Sequence, residues 1–94
     1  MPCPDDVKFE VVRRAVAWFR ERYSVVDVDG ARVLFRDGER NVGWGLVRAS
    51  NTGRVLVMRF EADGPARLAE IKTLMEGRLR QIIAEVSAGP SVAT

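Results

Sequence analysis

The apolar residues near the amino end of the chain recur at the spacing of an α-helix. Those that share one helical face are Phe9, Val12, Val16 and Phe19. Asp5 or Asp6 can supply the N-cap, because an aspartate side chain accepts hydrogen bonds from the free amides of a first helical turn. The pattern therefore predicts a helix that runs to about Arg22 and packs its apolar face on a sheet.

The middle of the chain changes to short apolar runs separated by turn residues, which is typical of β-strands. The predicted strands are residues 26–28, 31–35, 44–48 and 55–62. Asp29-Gly30 joins the first two strands as a tight antiparallel hairpin, since glycine tolerates positive φ. A looser connection, residues 36–42, leads into the third strand.

A second helical stripe occupies the carboxyl end. Its apolar members are Leu68, Ile71, Met75, Leu79, Ile82 and Val86. Asp63 or Gly64 can serve as the N-cap, with Pro65 in the first turn, where a missing amide hydrogen costs nothing.

Together these elements predict one α+β domain, residues 1–94, in the order helix, four strands, helix. We expect a mainly antiparallel four-stranded sheet with both helices packed on one side. The two ends, residues 1–6 and 87–94, are expected to fray.

Composition limits the function classes. The 94 residues, 47% apolar and 30% charged, suit one globular domain and leave little room for a complete multistep active site. No apolar run is long enough to cross a bilayer, and the amino end lacks the pattern of a secretory signal, so we expect a cytoplasmic protein that does not bind membranes. The chain has no histidine and a single cysteine, Cys3, which excludes histidine-based catalysis, the common zinc sites and an internal disulfide. A net charge of +2 permits an anionic ligand but does not demand nucleic acid.

The stretch RASNTG places Arg48 at the end of a predicted strand and follows it with small polar residues. A guanidinium forms bidentate, charged hydrogen bonds, and the Ser50 and Thr52 hydroxyls, the Asn51 amide and the backbone amides around Gly53 add neutral donors. This set suits a phosphate dianion. The alternative is an ordinary turn, because these residue types bond their own backbone and tolerate left-handed φ.

The residues around this stretch carry a resemblance to a known family. GWGLVRASNT at residues 43–52 and VLVMRFEAD at residues 55–63 resemble the C-terminal domain of the bacterial phosphomannomutase/phosphoglucomutase enzymes, the α-D-phosphohexomutase family. The similarity extends to Lys8-Phe9, to DGARV at residues 29–33 and through the last helix. It implies the TATA-binding-protein-like fold of that domain.

In that family the last of four domains holds the phosphate of the bound phosphosugar. The resemblance implies that the phosphate contacts in this sequence are Arg48, Ser50, Asn51, Thr52 and Gly53. Arg48 would be the main charge partner. Arg54 could be a further contact, although a solvated strand residue is the favoured interpretation.

The family interconverts hexose 1-phosphate and hexose 6-phosphate through a phosphoserine and a bisphosphorylated sugar, with magnesium held elsewhere. This chain shows neither the phosphorylation motif nor a separate sugar-recognition loop. The resemblance therefore implies a domain that binds phosphate without catalysing, that works with the other domains of a mutase, and that holds no cofactor of its own. Asp27-Val28-Asp29-Gly30 lacks the repeated aspartates of a metal loop and is interpreted as a turn.

Two features depart from the family pattern. Gly53-Arg54 stands where a residue followed by proline is common, which predicts a less rigid loop. Residues 39–42 lengthen the connection ahead of the third strand, which we expect to be a longer surface loop.

Two other function classes stay open: a small autonomous nucleic-acid-binding module and an interdomain interaction module. The predicted strands offer no pair of exposed aromatics for base stacking, and arginines alternate with glutamates on the helices. Nucleic acid is therefore not the expected partner.

Overall fold

The computed structural model describes residues 1–27 and 30–88, and within them the elements follow the predicted order. The helices are α1 (Lys8–Arg20) and α2 (Pro65–Ala88), and the strands are β1 (Ser24–Val26), β2 (Ala31–Asp37), β3 (Arg40–Ala49) and β4 (Leu56–Ala62). Strands that follow one another in the chain are antiparallel neighbours in one sheet of order β1-β2-β3-β4. The predicted α+β fold is confirmed.

Helix α1 buries a different stripe from the predicted one. Its buried side chains are Lys8, Val11, Ala15 and Phe19. Phe9 is 62% exposed, and Val12 and Val16 are only half-buried. The two stripes are displaced by about one position, or about 100° around the helix. Both have helical spacing, so periodicity alone does not identify the stripe that faces the sheet.

The predicted aspartate cap does not form at the start of α1. The N-cap residue is Val7, which has no side-chain cap hydrogen bond. Asp5 instead pairs with Lys8, its Oδ1 lying 2.7 Å from the Nζ atom. The Val7 amide donates to the Pro4 carbonyl at 3.2 Å, and this turn leads the chain into the helix.

The first hairpin pairs β1 with β2 in the predicted antiparallel sense. Val26 lies opposite Arg32, and β1 begins and ends two residues earlier than predicted. Gly30 has a φ of +83°, as its place in a turn leads one to expect. Val28 and Asp29, the rest of the predicted turn, lie outside the described residues.

Residues 36–42 form most of a second hairpin, so the predicted loose connection is wrong. Asp37 lies opposite Arg40, with Gly38-Glu39 between them, and Gly38 has a φ of +64°. Asp-Gly is a strong signal for a two-residue hairpin turn. The polar residues around it are the solvent-exposed ends of two strands. Residues 39–42, expected to form a longer surface loop, are therefore one turn residue, Glu39, and the first three residues of β3.

A β-bulge in β3 follows this turn. The register between β2 and β3 shifts by one residue next to the Phe35–Gly43 pair, which leaves Val42 as the extra residue. Val42 is buried, and its carbonyl accepts a hydrogen bond from the Asp63 amide at 3.0 Å. The bulge thus ties the beginning of β3 to the beginning of α2.

Both helices cover the same face of the sheet. Helix α1 contacts β1, β2 and β3, while α2 contacts β3, β4 and α1. The buried core comprises Cys3, Val11, Ala15, Phe19, Ala31, Val33, Phe35, Val42, Val47, Leu56, Ile71, Met75, Leu79 and Ile82. The approach of α2 to β3 is close, because a Cβ on Gly45 would overlap the sulfur of Met75.

Residues 1–3 lie along the outer edge of β4. Met1 exchanges two hydrogen bonds with Leu56, at 3.1 and 2.7 Å, and the Cys3 amide donates to the Arg54 carbonyl at 2.9 Å. Cys3 is only 2% exposed. Fraying of residues 1–6 stays a prediction, and it would break these three hydrogen bonds and uncover the thiol.

Helix α2 begins at Pro65, in agreement with the sequence. It buries Ile71, Met75, Leu79 and Ile82, whereas Leu68, at the end of the predicted stripe, is 38% exposed. Residues 89–94, most of the tail that was expected to fray, lie outside the described residues. Over the described chain, neither helix combines the length and apolar character needed to span a bilayer.

Candidate functional site

The loop between β3 and β4, residues 50–55, is closed by its own backbone and by one hydroxyl. The Ser50 amide donates to the Val55 carbonyl at 3.2 Å. The Ser50 Oγ accepts hydrogen bonds from the amides of Thr52 at 3.3 Å and Gly53 at 3.2 Å. No residue of this loop has a positive φ. Ser50 therefore shapes the turn through its side chain, and left-handed backbone is not needed.

The same loop leaves several donors without an internal partner. The side chains of Asn51 and Thr52 are exposed, and neither forms a hydrogen bond within the described part of the chain. A hydroxyl oxygen has two lone pairs, and both lone pairs of Ser50 can be engaged by the two amides. The remaining capacity of Ser50 is its hydroxyl proton, which can be donated to a ligand.

Arg48 lies on β3 two residues before this loop, opposite Val57 in the sheet. Its side chain is half-buried, and among residues 1–27 and 30–88 it forms neither a salt bridge nor a side-chain hydrogen bond. A guanidinium stays charged at every physiological pH. The described structure thus presents a planar cationic group with no carboxylate to neutralise it.

Arg48 and Asn51 line the same cavity, which has a volume of about 180 Å³. The other lining residues are Phe9, Val12, Gly30 and Ala49. Sites for complete small molecules usually have volumes of about 300–1,000 Å³. The cavity is therefore too small for a complete small-molecule ligand and has room only for a small group.

Gly30 makes the position of Arg48 possible. A Cβ on Gly30 would overlap the Val47 carbonyl oxygen and lie 2.7 Å from the Arg48 Cβ. The first hairpin consequently packs directly on the backbone that carries the guanidinium. Sequence reasoning assigned Gly30 to a turn and missed this contact, because nothing local to the hairpin indicates what packs against it.

Two residues from the amino end hold the far side of the loop. Lys8 Nζ donates to the Gly53 carbonyl at 3.1 Å, and the Cys3 amide donates to the Arg54 carbonyl at 2.9 Å. Sequence reasoning missed Lys8 as part of the site. The available signal was its helical spacing with the apolar residues Val11 and Ala15, which becomes informative only once the buried face of α1 is known.

Arg54 is a weaker candidate than Arg48 because it has an acidic neighbour. The pKa of Asp5 is lowered, first by the hydrogen bond from Lys8, then by the Lys8 charge and to a smaller extent by the charge of Arg54. The Arg54 charge is thus partly offset by a nearby carboxylate. Its side chain is also exposed, which weakens any single ion pair it forms.

The described residues contain no candidate metal centre, since nowhere do three His, Cys, Asp or Glu side chains converge. The Asp27 to Gly30 segment, interpreted from the sequence as a turn, is described only at its two ends. The structure places the predicted site residues together, with Arg48 at the end of β3 and Ser50 to Gly53 in the loop that follows it.

Larger concavities lie away from the loop. One of about 290 Å³ is bordered by Trp44 and Asp63, and one of about 460 Å³ by Tyr23 and Arg36. Neither includes a residue of the β3–β4 loop. The smaller cavity beside Arg48 is the better candidate because its lining includes an arginine that has no ion-pair partner among residues 1–27 and 30–88, together with the Asn51 amide.

Known proteins match most of this chain. Residues 4–77 match the family model described as phosphoglucomutase/phosphomannomutase, C-terminal domain. The phosphomannomutase/phosphoglucomutase of Pseudomonas aeruginosa is 41% identical over 81 residues, which are 83% of this chain and 16% of the relative. The protein of the same name from Pseudomonas putida is 39% identical over 85 residues, 87% of this chain and 17% of the relative. The probable phosphoglucosamine mutase of Methanopyrus kandleri is 36% identical over 85 residues, 89% of this chain and 18% of the relative.

The chain spans about a sixth of the length of these relatives. The matched residues include α1, the whole sheet, the β3–β4 loop and every residue that lines the cavity beside Arg48. The resemblance drawn from the sequence is therefore confirmed. The chain belongs to the phosphoglucomutase/phosphomannomutase family and corresponds to the C-terminal domain of its members.

Proposed function

We propose that this domain binds the phosphate group of a phosphosugar through the end of β3 and the loop that follows it. The contacting side chains would be those of Arg48, Ser50, Asn51 and Thr52. Gly53, which the sequence also indicates, has its amide engaged by the Ser50 hydroxyl and would keep the loop in shape. One observation carries the proposal: the Arg48 side chain has no salt-bridge or hydrogen-bond partner among the described residues, and Arg48 lines a small cavity together with Asn51. A permanently charged fork without a carboxylate suits an anionic ligand better than a structural ion pair.

Each residue would make a different contribution. Arg48 supplies charge and two parallel hydrogen bonds. Ser50 donates its hydroxyl proton, while the amides of Thr52 and Gly53 hold its oxygen in place. Asn51 and the Thr52 hydroxyl add neutral donors from the exposed rim.

The domain on its own would bind without catalysing. Among the described residues, the cavity lining comprises Arg48, Asn51 and otherwise glycine and apolar residues, and these offer no carboxylate, thiol or imidazole to act as a nucleophile or move a proton. In a full-length mutase, we propose, the domain holds the phosphate at the non-reacting end of the sugar. Fixing that end orients the other end toward the reacting group, which lowers the entropic part of the barrier.

The parent reaction in this proposal is the interconversion of hexose 1-phosphate and hexose 6-phosphate through a bisphosphorylated intermediate. Such an intermediate must present first one phosphate and then the other. A loop that grips a phosphate and touches little of the sugar suits this requirement, because it accepts either orientation of the ring.

The partners in this proposal are the phosphosugar and the other domains of the same mutase. We expect the magnesium of the full-length enzyme to be held outside this domain, since no cluster of metal-ligating side chains occurs in the described residues. The cytoplasmic location expected from the sequence stays a prediction.

The test is an amide chemical-shift titration of the ¹⁵N-labelled chain with glucose 1-phosphate, mannose 1-phosphate and inorganic phosphate. We expect the largest shifts at residues 48–54. Arg48→Ala should weaken binding by about tenfold or more, because a charged hydrogen-bond pair contributes about 1.5–3 kcal/mol. Arg80→Ala is the matched control, since it removes one positive charge from the exposed side of α2. Equal loss of affinity in both variants would reduce the effect to net charge and contradict a specific site.

A short single-stranded oligonucleotide separates the nucleic-acid alternative. Trp44 is the one aromatic residue that alternates away from the helices in the described sheet, and the Arg32 guanidinium lies 4.6 Å from its ring centre. Single-strand binding usually stacks bases on several aromatics. If the oligonucleotide shifts amide resonances across β2 and β3, and no phosphate shifts those of the β3–β4 loop, the phosphosugar proposal is wrong and nucleic-acid binding takes its place.

A further inference from the structure

Lys8 is a charged residue in a buried stripe of α1. It is 3% exposed, and its neighbours on that stripe, Val11 and Ala15, are wholly buried. Burying an ammonium is costly unless hydrogen bonds and an opposite charge compensate it. Both are present here, because Nζ lies 2.7 Å from Asp5 Oδ1 and 3.1 Å from the Gly53 carbonyl oxygen. An apolar side chain would fill this position at lower cost, so the ammonium needs a reason beyond packing.

The Gly53 carbonyl is the contact that gives Lys8 a connection to the anion site. Glycine has the greatest backbone freedom of any residue, so a glycine in a binding loop must be held from outside. The Gly53 amide donates to the Ser50 hydroxyl oxygen at 3.2 Å, and its carbonyl accepts from Lys8. Hydrogen bonds therefore hold both peptide groups of Gly53. The Thr52–Gly53 peptide is held by Ser50, and the Gly53–Arg54 peptide is held by Lys8.

The hydrogen bond from Lys8 to the Gly53–Arg54 peptide also sets the direction of the Arg54 N–H. In a trans peptide the C=O and N–H bonds point in opposite directions. Because the Gly53 carbonyl points toward the buried Lys8 ammonium, the Arg54 N–H points away from it. In the described residues the Arg54 N–H has no hydrogen-bond acceptor, although the Arg54 carbonyl is held by the Cys3 amide.

We propose that Lys8 is a positioning residue of the anion site: by holding the Gly53 carbonyl it turns the Arg54 N–H outward as a further donor to the bound phosphate. This inference rests on the proposed function, in which the loop binds a phosphate. Lys8 itself does not touch the ligand, and its effect passes through one peptide group.

The experiment compares three forms of the ¹⁵N-labelled full chain during titration with inorganic phosphate and glucose 1-phosphate. Lys8→Met keeps the length of the side chain and removes the ammonium. Asp5→Asn is the matched control, because it removes the carboxylate partner and leaves the Lys8–Gly53 hydrogen bond. In the natural chain we expect the Arg54 amide resonance to move downfield as phosphate binds.

Three results support the proposal when they occur together. Lys8→Met loses about tenfold in phosphate affinity, the worth of about one hydrogen bond. Its Arg54 amide no longer responds to phosphate, while the amides of β1 and α2 keep their native positions. Asp5→Asn binds within about twofold of the natural chain, since an amide oxygen can still accept from Lys8 and the Lys8–Gly53 hydrogen bond remains. A residue that only stabilised the fold would lower the unfolding temperature without silencing the Arg54 amide in the folded protein.

Other results overturn the inference, and they differ from failure of the proposed function. If the natural chain binds phosphate at Arg48 but its Arg54 amide stays still, or if Lys8→Met binds as tightly as the natural chain, the role of Lys8 is wrong and the site remains. If no amide of residues 48–54 responds to any phosphate, the proposed function fails and the inference fails with it. Should Lys8→Met not fold, the Arg54 response in the natural chain and the affinity of Lys8→Gln, which keeps a donor but no charge, decide the matter.

Discussion

Gly30 and Arg48 pack so closely that a Cβ on Gly30 would lie 2.7 Å from the Arg48 Cβ. Gly30 also has a φ of +83°, where side chains of L-residues are strained. The Gly30→Ala substitution must therefore move either the first hairpin or the strand that carries the guanidinium. We expect it to lower the free energy of unfolding by about 2–4 kcal/mol, measured by urea denaturation.

Gly38→Ala separates the two causes of this loss. Gly38 has a φ of +64°, but a Cβ there would meet no atom within 4 Å. Gly38→Ala should therefore lower the free energy of unfolding only by the cost of the left-handed backbone conformation, about 1–2 kcal/mol. If Gly30→Ala costs no more than Gly38→Ala, the close contact with Arg48 is not a constraint.

Gly53→Ala should stabilise the chain rather than weaken it. Gly53 does not have a positive φ, and a Cβ there would lie 3.7 Å from the Ser50 Oγ, an ordinary contact distance. Alanine lowers the backbone entropy of the unfolded chain, which is worth about 0.4–1 kcal/mol. Thermal unfolding of the variant checks the sign, and a lower unfolding temperature would mean that the loop needs the freedom of glycine.

Gly45 and Met75 should show strong energetic coupling. A Cβ on Gly45 would overlap the Met75 sulfur, so Gly45→Ala forces that side chain to move and should cost about 1–3 kcal/mol. Met75→Ala leaves a cavity and should cost about 2–5 kcal/mol. In the double variant the new methyl group occupies part of that cavity. The two losses should therefore sum to more than the loss in the double variant, and simple additivity in urea denaturation would argue against the contact.

Acid should weaken the fold partly through Glu10. The pKa of Glu10 is lowered, first by its hydrogen bond with Arg13 and then by that with Arg14. A carboxylate with a lowered pKa stabilises the folded state above its unfolded pKa and loses that contribution as the pH falls through the folded pKa. Glu10→Gln should therefore show a smaller loss of stability between pH 7 and pH 3 than the natural chain, in urea denaturation at both values. Glu85→Gln, on the exposed side of α2, is the control for the change in net charge, and a profile flattened equally in both variants would contradict a specific role of Glu10.

Cys3 reports on the pairing of residues 1–3 with β4. Burial raises the pKa of its thiol, and the side chain is almost wholly covered. If the hydrogen bonds to Leu56 and Arg54 persist in solution, the folded chain should react with a thiol reagent on the order of tenfold more slowly than the urea-unfolded chain. Equal rates would show that residues 1–6 fray, as the sequence predicts.

The local sequence pattern was sufficient to locate the helices and strands. It was not sufficient to identify which side of each element is buried. Apolar spacing located both helices, because each stripe is a property of a few neighbouring turns. In α1 two stripes satisfy the same period, and only the sheet decides that Val11 is buried and Phe9 exposed. Likewise, the polar residues around Gly38 were predicted to form a loop, although they are the solvent-exposed ends of two paired strands.

In the candidate site, too, some residues could be predicted from the sequence and others could not. Arg48 and the residues after it stand together in one motif, so a sequence can indicate them, and their binding of phosphate stays a prediction. Gly30 and Lys8 support the site from distant positions, and the Lys8–Gly53 hydrogen bond joins residues 45 positions apart. Contacts of that kind depend on how the helix and hairpins pack, which no local pattern encodes.

The short segment on the outside of β4 bears on how this domain should be cut for expression. An uncovered strand edge offers free amides and carbonyls to other chains and promotes aggregation. A fragment trimmed to residues 4–77, the limits of the family match, would lose the cover that Met1 gives to Leu56 and would also remove Leu79 and Ile82 from the core. We therefore expect a fragment that keeps residues on both sides of the family match, residues 4–77, to be more stable than one cut at its limits.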